Sequence, residues 1–241
     1  MSDQSEPLLM DVGNTYVHWA LGERFGQFLS RHMPLELPVE LNEILENIKD
    51  VVLVSVRRAN VQEELLTLAP TAQWHIAHTF PRSILSSDYD TERLGSDRWV
   101  GMLGAVALGL TETGSAVCLI DAGTAVTIDM LRGRHHIGGW IMPGYRVWFD
   151  SLLKETDMGL DRPDSPARAL GASTNHAVAN AWVSAVCAMV ALRKAEMPGL
   201  SVVVTGGDAS RLAPWIPDAL YIPDLIFQGL GFWNQHCKAI V

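Results

Sequence analysis

The first third of the chain alternates short apolar runs with turn signals and then with helical spacing. Period-two runs predict strands, whereas apolar residues three and four positions apart predict amphipathic helices. On this basis we predict three strands, a helix, a strand, a helix and a strand, in this order: Leu8–Met10, Tyr16–Leu21, Gly26–Ser30, Leu41–Ile48, Val51–Val56, Val61–Leu68 and Trp74–Ala77. A hairpin start followed by strand–helix alternation indicates an α/β architecture.

The rest of the chain repeats this alternation after a polar loop over Ser83–Arg93. A helix is predicted to begin at Ser96 or Asp97 and to continue to Leu110. Further strands and helices are then predicted at Val117–Ile120, Val126–Met130, His135–Ile141, Val147–Lys154, Thr174–Glu196, Ser201–Val204, around Tyr221, and at Ile226–Cys237. The helix Thr174–Glu196 contains the longest apolar stretch, interrupted by Asn180 and Ser184, which indicates a buried helix and not a membrane span.

One short sequence pattern occurs twice, about half the chain apart. Leu8–Thr15 and Cys118–Ala125 each consist of an apolar strand, then Asp-x-Gly, then a hydroxyl residue, followed by a second apolar strand. Self-similarity on this scale predicts a duplicated domain with two related halves, which we set at residues 1–112 and 113–241.

The repeated turn has a chemical interpretation and a structural one. Glycine allows close backbone approach, turn N–H groups bind anions, and an aspartate at a strand end can hold a cation that bridges phosphates. Two such hairpins across a cleft would hold a nucleoside triphosphate, but Asp-Gly turns also simply close hairpins. A third turn, Thr205–Gly207, allows an adenine ring to lie on the backbone or merely joins a strand to a helix. Neither a P-loop nor a GxGxxG motif is present.

Charged residues are concentrated at Tyr89–Arg98. After Gly95, Asp97 and Arg98 at a helix start could supply a general base and an anion anchor. The alternative is that Ser96 or Asp97 is an ordinary N-cap and Arg98 a surface residue. The pair His135-His136 has no partner at metal-ligand spacing and is expected on an exposed strand.

Composition narrows the classes of function that remain. With 48% hydrophobic and 19% charged residues, the chain has the composition of an ordinary globular protein. Its 18 Lys and Arg against 27 Asp and Glu give a net charge of −9, which opposes nucleic-acid binding. The three cysteines form no CxxC pair, which favours idle thiols in a reducing compartment over a zinc site. The acidic first residues lack the basic region of a signal peptide. We therefore expect a cytoplasmic protein without membrane or nucleic-acid partners.

The motifs in this order resemble type III pantothenate kinase, of the acetate/sugar kinase–heat-shock protein–actin superfamily. The resemblance spans nearly the whole chain and rests on DVGNT, GSDR, DAGT, GGWIMPG, GAST and TGG, at Asp11–Thr15, Gly95–Arg98, Asp121–Thr124, Gly138–Gly144, Gly171–Thr174 and Thr205–Gly207. It implies a duplicated ribonuclease-H-like, actin-like ATPase fold with a nucleotide cleft between the two halves. It also implies the phosphorylation of pantothenate by ATP with Mg²⁺, the first step toward coenzyme A.

The resemblance also implies roles for particular residues. Asp97 matches the proton acceptor, Asp121 the ligand of an activating K⁺ or NH₄⁺ ion, and Tyr89 a pantothenate contact. The GSDR motif, Gly95, Ser96, Asp97 and Arg98, matches the pantothenate-binding segment, and Thr174 a pantothenate contact donated across a homodimer interface. The ATP-binding residues implied are Asp11, Val12, Gly13, Asn14, Thr15, Tyr16, Val17, His18 and Thr124.

The sequence departs from the family's pattern at a few positions. Many members have Lys where this chain has His18, and Ala181 and Ala185 replace glycines of the long helix. The apolar positions Val178, Trp182, Val183 and Val186 of that helix suit a dimer interface. A nucleotide-binding regulator of the same fold without kinase activity is the alternative function, favoured by His18 and opposed by the intact acidic residues.

Overall fold

The first sheet is built around a strand whose side chains alternate between core and surface. The structure is a computed structural model that describes residues 6–30, 35–56, 59–78, 83–112 and 114–237. The chain divides into unit 1, made of Met1–Leu85, Asp90–Leu108 and Leu225–Val241, and unit 2, made of Ser86–Tyr89 and Gly109–Asp224. The division of the duplication at residues 1–112 and 113–241 stays a prediction. Residues 1–5, on which the expectation about a signal peptide rests, lie outside the described residues.

Unit 1 is a five-stranded mixed sheet with four helices. In the numbering used for the whole chain, it contains β1 (Leu8–Val12), β2 (Tyr16–Leu21), β3 (Arg24–Leu29), α1 (Val39–Asn47), β4 (Asp50–Ser55), α2 (Ala59–Leu68), β5 (Gln73–Ile76), α3 (Ser96–Ala107) and α7 (Leu225–His236). The strand order is β3-β2-β1-β4-β5. Strands β1, β2 and β3 pair antiparallel, whereas β4 and β5 join parallel.

Burial explains why these segments form this sheet. In β1 the side chains of Leu8, Met10 and Val12 are buried and alternate with partly exposed residues. In β4 all four residues of Val51–Val54 are buried, as expected for a central parallel strand covered on both faces. The predicted strands and helices of this region are confirmed to within a few residues.

Unit 2 repeats the topology of unit 1. It contains β6 (Ser86–Ser87), β7 (Ala116–Ala122), β8 (Ala125–Arg132), β9 (His135–Pro143), α4 (Tyr145–Glu155), α5 (Thr174–Glu196), β10 (Ser201–Thr205), α6 (Ala209–Leu212), a 3₁₀ turn at Ala213–Trp215, and β11 (Leu220–Tyr221). The order β9-β8-β7-β10-β11 matches β3-β2-β1-β4-β5, with β6 added beside β9. The duplicated ribonuclease-H-like fold predicted from the sequence is confirmed.

Helix α5 forms part of the core of unit 2, which corrects one prediction. Trp182, Val183 and Val186 are fully buried within that core, so these three side chains do not form an outward interface. By length and composition α5 is also the one helix of the described residues that could cross a membrane, with a mean hydropathy of 1.3. Its packing against the sheet agrees with the expectation of a buried helix.

Strand β6 was not predicted, because it lies in the segment Ser83–Arg93 that the sequence analysis assigned to a loop. Its two residues are too few for a periodic pattern. They are defined only by parallel pairing with β9, in which Ser86 is opposite His135 and Ser87 is opposite His136.

Candidate active site

The turn between β1 and β2 is held by hydrogen bonds from the end of β3. The Gly13 N–H donates to the Tyr16 carbonyl at 3.0 Å, and Ser30 donates its hydroxyl to the Gly13 carbonyl and its N–H to the Thr15 carbonyl, both at 3.0 Å. Ser30 is completely buried. This contact was not predicted, because Ser30 and Gly13 are 17 residues apart in the sequence.

The predicted ATP-binding residues of this hairpin differ in whether their side chains are accessible to a ligand. Val12 and Val17 bury their side chains in the core of unit 1, so only their backbone is available to a ligand. Asn14 and Tyr16 are exposed, and Asp11 is half-buried.

Asp11 and His18 are direct cross-strand neighbours in this hairpin. Burial lowers the pKa of His18 below its ordinary value of about 6.5, which favours the uncharged ring at neutral pH. His18 therefore does not supply at pH 7 the fixed positive charge that a lysine would.

The GSDR segment forms the first turn of α3. Gly95 is the N-cap residue and no side chain caps the helix, so the interpretation of Ser96 or Asp97 as an ordinary N-cap is wrong. The Asp97 carboxylate instead accepts a hydrogen bond from the Arg98 N–H at 2.7 Å. A Cβ at position 95 would collide with Asp97 Oδ1, so Gly95 leaves the room that this carboxylate occupies.

Arg98 is only 7% exposed, so the interpretation of it as a surface residue is wrong. A buried guanidinium is costly unless it has partners, and Arg98 is among the residues with polar interactions in the structure. The first turn of α3 therefore holds a buried guanidinium directly beside the Asp97 carboxylate.

Helix α3 is fixed in unit 1 by close packing against α7. A side chain at Gly104 would collide with the Leu225 carbonyl, and one at Gly229 would collide with the Val100 carbonyl. Both glycines allow the two helix backbones to approach, and the sequence analysis identified neither. A small residue inside an apolar helix was the only available signal.

In unit 2, the DAGT turn between β7 and β8 contacts the turn that ends β9. The Gly123 N–H donates to the Ala125 carbonyl and the Gly144 N–H to the Thr124 carbonyl, both at 2.9 Å. A side chain at Gly144 would overlap the Gly123 and Thr124 carbonyls. The GGWIMPG and DAGT motifs, separate in the sequence, are therefore adjacent in the structure.

The TGG turn after β10 packs against the Asp121 carboxylate. Thr205 is opposite Asp121 in the parallel pair of β10 and β7, and Gly206 has a φ of +92° with no room for a Cβ beside Asp121 Oδ1 and the Ala122 backbone. The Asp208 N–H donates to the Ala122 carbonyl at 2.8 Å. Gly207, in contrast, has open space around it.

The remaining predicted substrate residues, Tyr89 and Thr174, both lie in unit 2. Tyr89 follows β6, is 38% exposed, and its ring centre is 6.2 Å from that of His136. Thr174 is the exposed first residue of α5, directly after the N-cap Ser173, whose hydroxyl accepts from the His176 N–H.

His135 and His136 correct another expectation. His136 is completely buried and its Nε2 lies 2.9 Å from Oδ1 of the buried Asp129, whereas His135 contacts Asp88 at 3.1 Å. The expectation of an exposed strand is wrong for His136, because β6 covers this end of β9.

Metal-binding and thiol chemistry are both limited in the described ranges. Among the residues that the structure describes, no group of three or more His, Cys, Asp or Glu side chains could hold a metal ion. The three cysteines are buried and free, and burial raises the pKa of Cys118 to about 12, which keeps it protonated. Single carboxylates such as Asp11 and Asp121 suit Mg²⁺ that arrives with substrate phosphates, because that ion normally keeps waters and phosphates as ligands.

Comparison with known proteins identifies the family. A sequence profile described as type III pantothenate kinase matches residues 7–193. The chain belongs to the type III pantothenate kinase family. A type III pantothenate kinase of Psychrobacter arcticus is 29% identical over 96% of this chain and 99% of its own, and one of Chromobacterium violaceum is 32% identical over 92% and 97%.

Solved structures agree on the fold of this pantothenate kinase family member. A protein of Campylobacter jejuni, described as a conserved putative Baf family transcriptional activator, gives a TM-score of 0.64 at 20% identity, covering 95% of this chain and 98% of its own. A putative 2-dehydro-3-deoxygalactonokinase of Sinorhizobium meliloti gives 0.58 at 12% identity, covering 96% of both chains. At these identities the likeness concerns the fold alone.

Proposed function

We propose that this chain phosphorylates pantothenate to 4′-phosphopantothenate with ATP, the first step of coenzyme A biosynthesis, and that the start of α3 and the two Asp-x-Gly hairpins carry the reaction. The activity follows from membership of the type III pantothenate kinase family. The observation that best supports the site is the first turn of α3, where Asp97 lies beside a buried Arg98.

Asp97 is the proposed proton acceptor. In the reaction the pantothenate hydroxyl oxygen forms a bond to the γ-phosphorus, the bond from that phosphorus to the β,γ-bridging oxygen breaks, and ADP leaves. The hydroxyl proton passes to the Asp97 carboxylate, which Gly95 leaves room for. Phosphoryl transfer needs little covalent help, so orientation of the hydroxyl is the main contribution of this residue.

Arg98 is the proposed anchor of the pantothenate carboxylate. A guanidinium presents a planar donor fork that matches a carboxylate, and a buried one is held in place before the substrate binds. The N-terminal end of the α3 dipole favours an anion at the same position.

The two hairpins are the proposed contacts to ATP. Backbone N–H groups of the Gly13 and Gly123 turns suit phosphate oxygens, and the Thr15 and Thr124 hydroxyls add donors. When bound, Mg²⁺ offsets charge on the triphosphate, and Asp11 is the residue proposed to hold it through water. The lack of a three-carboxylate cluster among the described residues agrees with an ion that is carried by the nucleotide.

Asp121 is the proposed ligand of the activating monovalent cation, K⁺ or NH₄⁺. Its carboxylate lies at the end of β7 and opposite Thr205, with the Ala122 carbonyl nearby beside Gly206. Carboxylate, carbonyl and hydroxyl oxygens are the ligands proposed here for the monovalent cation.

We further propose a cytoplasmic homodimer in which Thr174 completes the partner's pantothenate site. The face of α5 that continues from Thr174 exposes small or apolar residues at helical spacing, namely Ala177, Ala181, Ala188 and Leu192. This face replaces the buried positions that the sequence analysis chose. Light scattering should report a mass near twice 26.4 kDa, and a fully active monomer would contradict the proposal.

A regulator without kinase activity is not favoured, because the family match covers residues 7–193 and the acidic site residues are intact. The decisive experiment measures ADP release by the purified protein with ATP, Mg²⁺ and K⁺, with and without pantothenate, and detects 4′-phosphopantothenate by mass spectrometry. ADP release that needs no pantothenate, or no release at all, would contradict the kinase assignment.

A further inference from the structure

A chain of polar side chains, completely buried at Asp129 and His136 and half-buried at Ser87, connects β8, β9 and β6 in unit 2. Asp129 and His136 are both completely buried, and Asp129 Oδ1 lies 2.9 Å from His136 Nε2. On the other side of the ring, His136 Nδ1 lies 2.8 Å from the Ser87 hydroxyl. A buried carboxylate and imidazole are costly to desolvate, so a purely structural site would more easily be filled by apolar residues.

The hydrogen bond at the Ser87 end of this chain has a fixed direction, because its donor is a backbone N–H. The Tyr89 N–H donates to the Ser87 hydroxyl oxygen at 3.0 Å. The proton of that hydroxyl can be donated to His136 Nδ1, and with that direction the imidazole proton is on Nε2, facing Asp129. The Nε2–Oδ1 contact is then a charge–dipole contact, with the N–H not aligned on the oxygen.

We propose that Asp129, His136 and Ser87 position Tyr89 for pantothenate binding, with Ser87 as the residue that holds the Tyr89 backbone. The inference rests on the proposed function, in which Tyr89 contacts pantothenate. Tyr89 follows a strand of only two residues, so its regular sheet hydrogen bonds end before it. The Ser87 hydroxyl supplies an anchor to the Tyr89 N–H, and the Tyr89 ring lies against His136 with the planes 32° apart.

The neighbouring residues Ser86 and His135 provide a comparison with Ser87 and His136. The Ser86 hydroxyl lies 2.8 Å from His135 Nδ1, and His135 Nε2 lies 3.1 Å from Asp88 Oδ1. The same three residue types are therefore in contact here, with the serine and the histidine one position earlier and with Asp88 in place of Asp129. Ser86 and Asp88 are exposed. Because solvent can replace exposed hydrogen bonds, this second set should contribute little to substrate binding.

The test compares Ser87→Ala with Ser87→Thr and with the matched control Ser86→Ala. Loss of one hydrogen bond that positions Tyr89 should raise the pantothenate KM by about threefold to tenfold. We expect kcat and the ATP KM to stay within about twofold, Ser87→Thr to restore the KM, and Ser86→Ala to leave it unchanged. Asp129→Asn, which keeps the shape of the side chain, should move the pantothenate KM in the same direction as Ser87→Ala.

Amide exchange of Tyr89, measured by NMR or mass spectrometry, separates this inference from the kinase assignment. It should be faster in Ser87→Ala and unchanged in Ser86→Ala, whether or not the protein phosphorylates pantothenate. Unchanged exchange and an unchanged pantothenate KM in Ser87→Ala would overturn the proposal, as would a fall in kcat alone. An unaffected KM in Asp129→Asn would remove Asp129 from it. A wild-type protein without pantothenate-dependent turnover would instead contradict the function itself.

Discussion

The hairpin of unit 1 and the hairpin of unit 2 share a topology but surround their aspartates differently. Asp11 is opposite His18 on one side and Val54 on the other, whereas Asp121 is opposite Thr127 and Thr205. The first turn closes from Gly13 to Tyr16 and the second from Gly123 to Ala125, so the first is one residue longer. A duplicated fold has therefore kept the position of the carboxylate and changed its neighbours.

This difference indicates how one motif can serve two ligands. Two hydroxyl residues, a carbonyl and a carboxylate form an oxygen-rich environment around Asp121, which suits a bound cation. Asp11 lies instead beside an imidazole whose pKa is lowered by burial and beside a buried valine, whose side chains offer no oxygen ligands. The same backbone turn thus gives two chemical environments, and substitution of single residues in each hairpin can test the distinction.

The largest effect should fall outside both hairpins, at Asp97. Asp97→Asn keeps an acceptor for the Arg98 N–H but removes the proton acceptor, so kcat should fall about 10²–10⁴-fold. Binding of ATP, which is assigned to the hairpins, should be unchanged in equilibrium titration.

Asp90→Asn is the matched control, because Asp90 is an exposed acid of the same unit that pairs with Arg93 at 3.5 Å. It should leave kcat unchanged. If Asp97→Asn kept more than about a tenth of the wild-type kcat, the assignment of the base would be wrong. If it lost activity and its melting transition together, Asp97 would be a structural residue.

Next in size is the effect of adding a methyl group to the TGG turn of unit 2. Gly206→Ala combines a positive φ with a collision against Asp121, so it should lower the free energy of unfolding by about 2 kcal/mol or more. For a protein of this size that corresponds to a fall in Tm of roughly 4–8 °C. Gly207→Ala, which meets open space, should change Tm by less than about 2 °C, and equal shifts for the two variants would contradict this account.

The two aspartates should then differ in their response to monovalent cations. Asp121→Asn should raise the K⁺ concentration needed for half-maximal activation by about tenfold or more, since it removes the charge that holds the ion. Asp11→Asn should leave the K⁺ requirement unchanged and raise the requirement for Mg²⁺ and ATP. Rates that are equal in Na⁺ and K⁺ for the wild-type enzyme, or an unaltered K⁺ response in Asp121→Asn, would argue against the assignment.

The smallest effect should be on the pH dependence of stability, through His18. Burial lowers its pKa in the folded state, so between that pKa and about 6.5 the unfolded chain binds more protons than the folded one. Stability should therefore fall as the pH drops through this window, and His18→Gln should reduce the fall.

His78→Gln, at an exposed histidine of the same unit, is the matched control for this substitution. Denaturant unfolding at several pH values between about 7.5 and 5 provides the measurement. A steeper fall in His18→Gln would show that the ring is stabilised in its charged form.

The parts of the molecule that could be predicted from sequence are the local ones. Each hairpin is encoded within about fifteen residues, so the strand pattern, the Asp-x-Gly turns and the duplication were all recognisable. The burial of Arg98, the Asp129–His136 contact and the Ser30 contact to Gly13 depend on segments that are distant in sequence. Residue types alone could not separate them from ordinary surface or turn positions.

The close packing of α7 against α3 has a consequence for the order in which the protein is made. Helix α7 leaves the ribosome long after α3, because residues 109–224 are synthesised between the two helices. At about 5–20 residues per second, on the order of ten seconds pass before α3 can acquire this neighbour. During that time all of unit 2 can fold, although the first unit began earlier. Unit 1 is thus the first unit to be translated but is completed only after unit 2, and the helix that carries Asp97 packs against α7 only once α7 has been made.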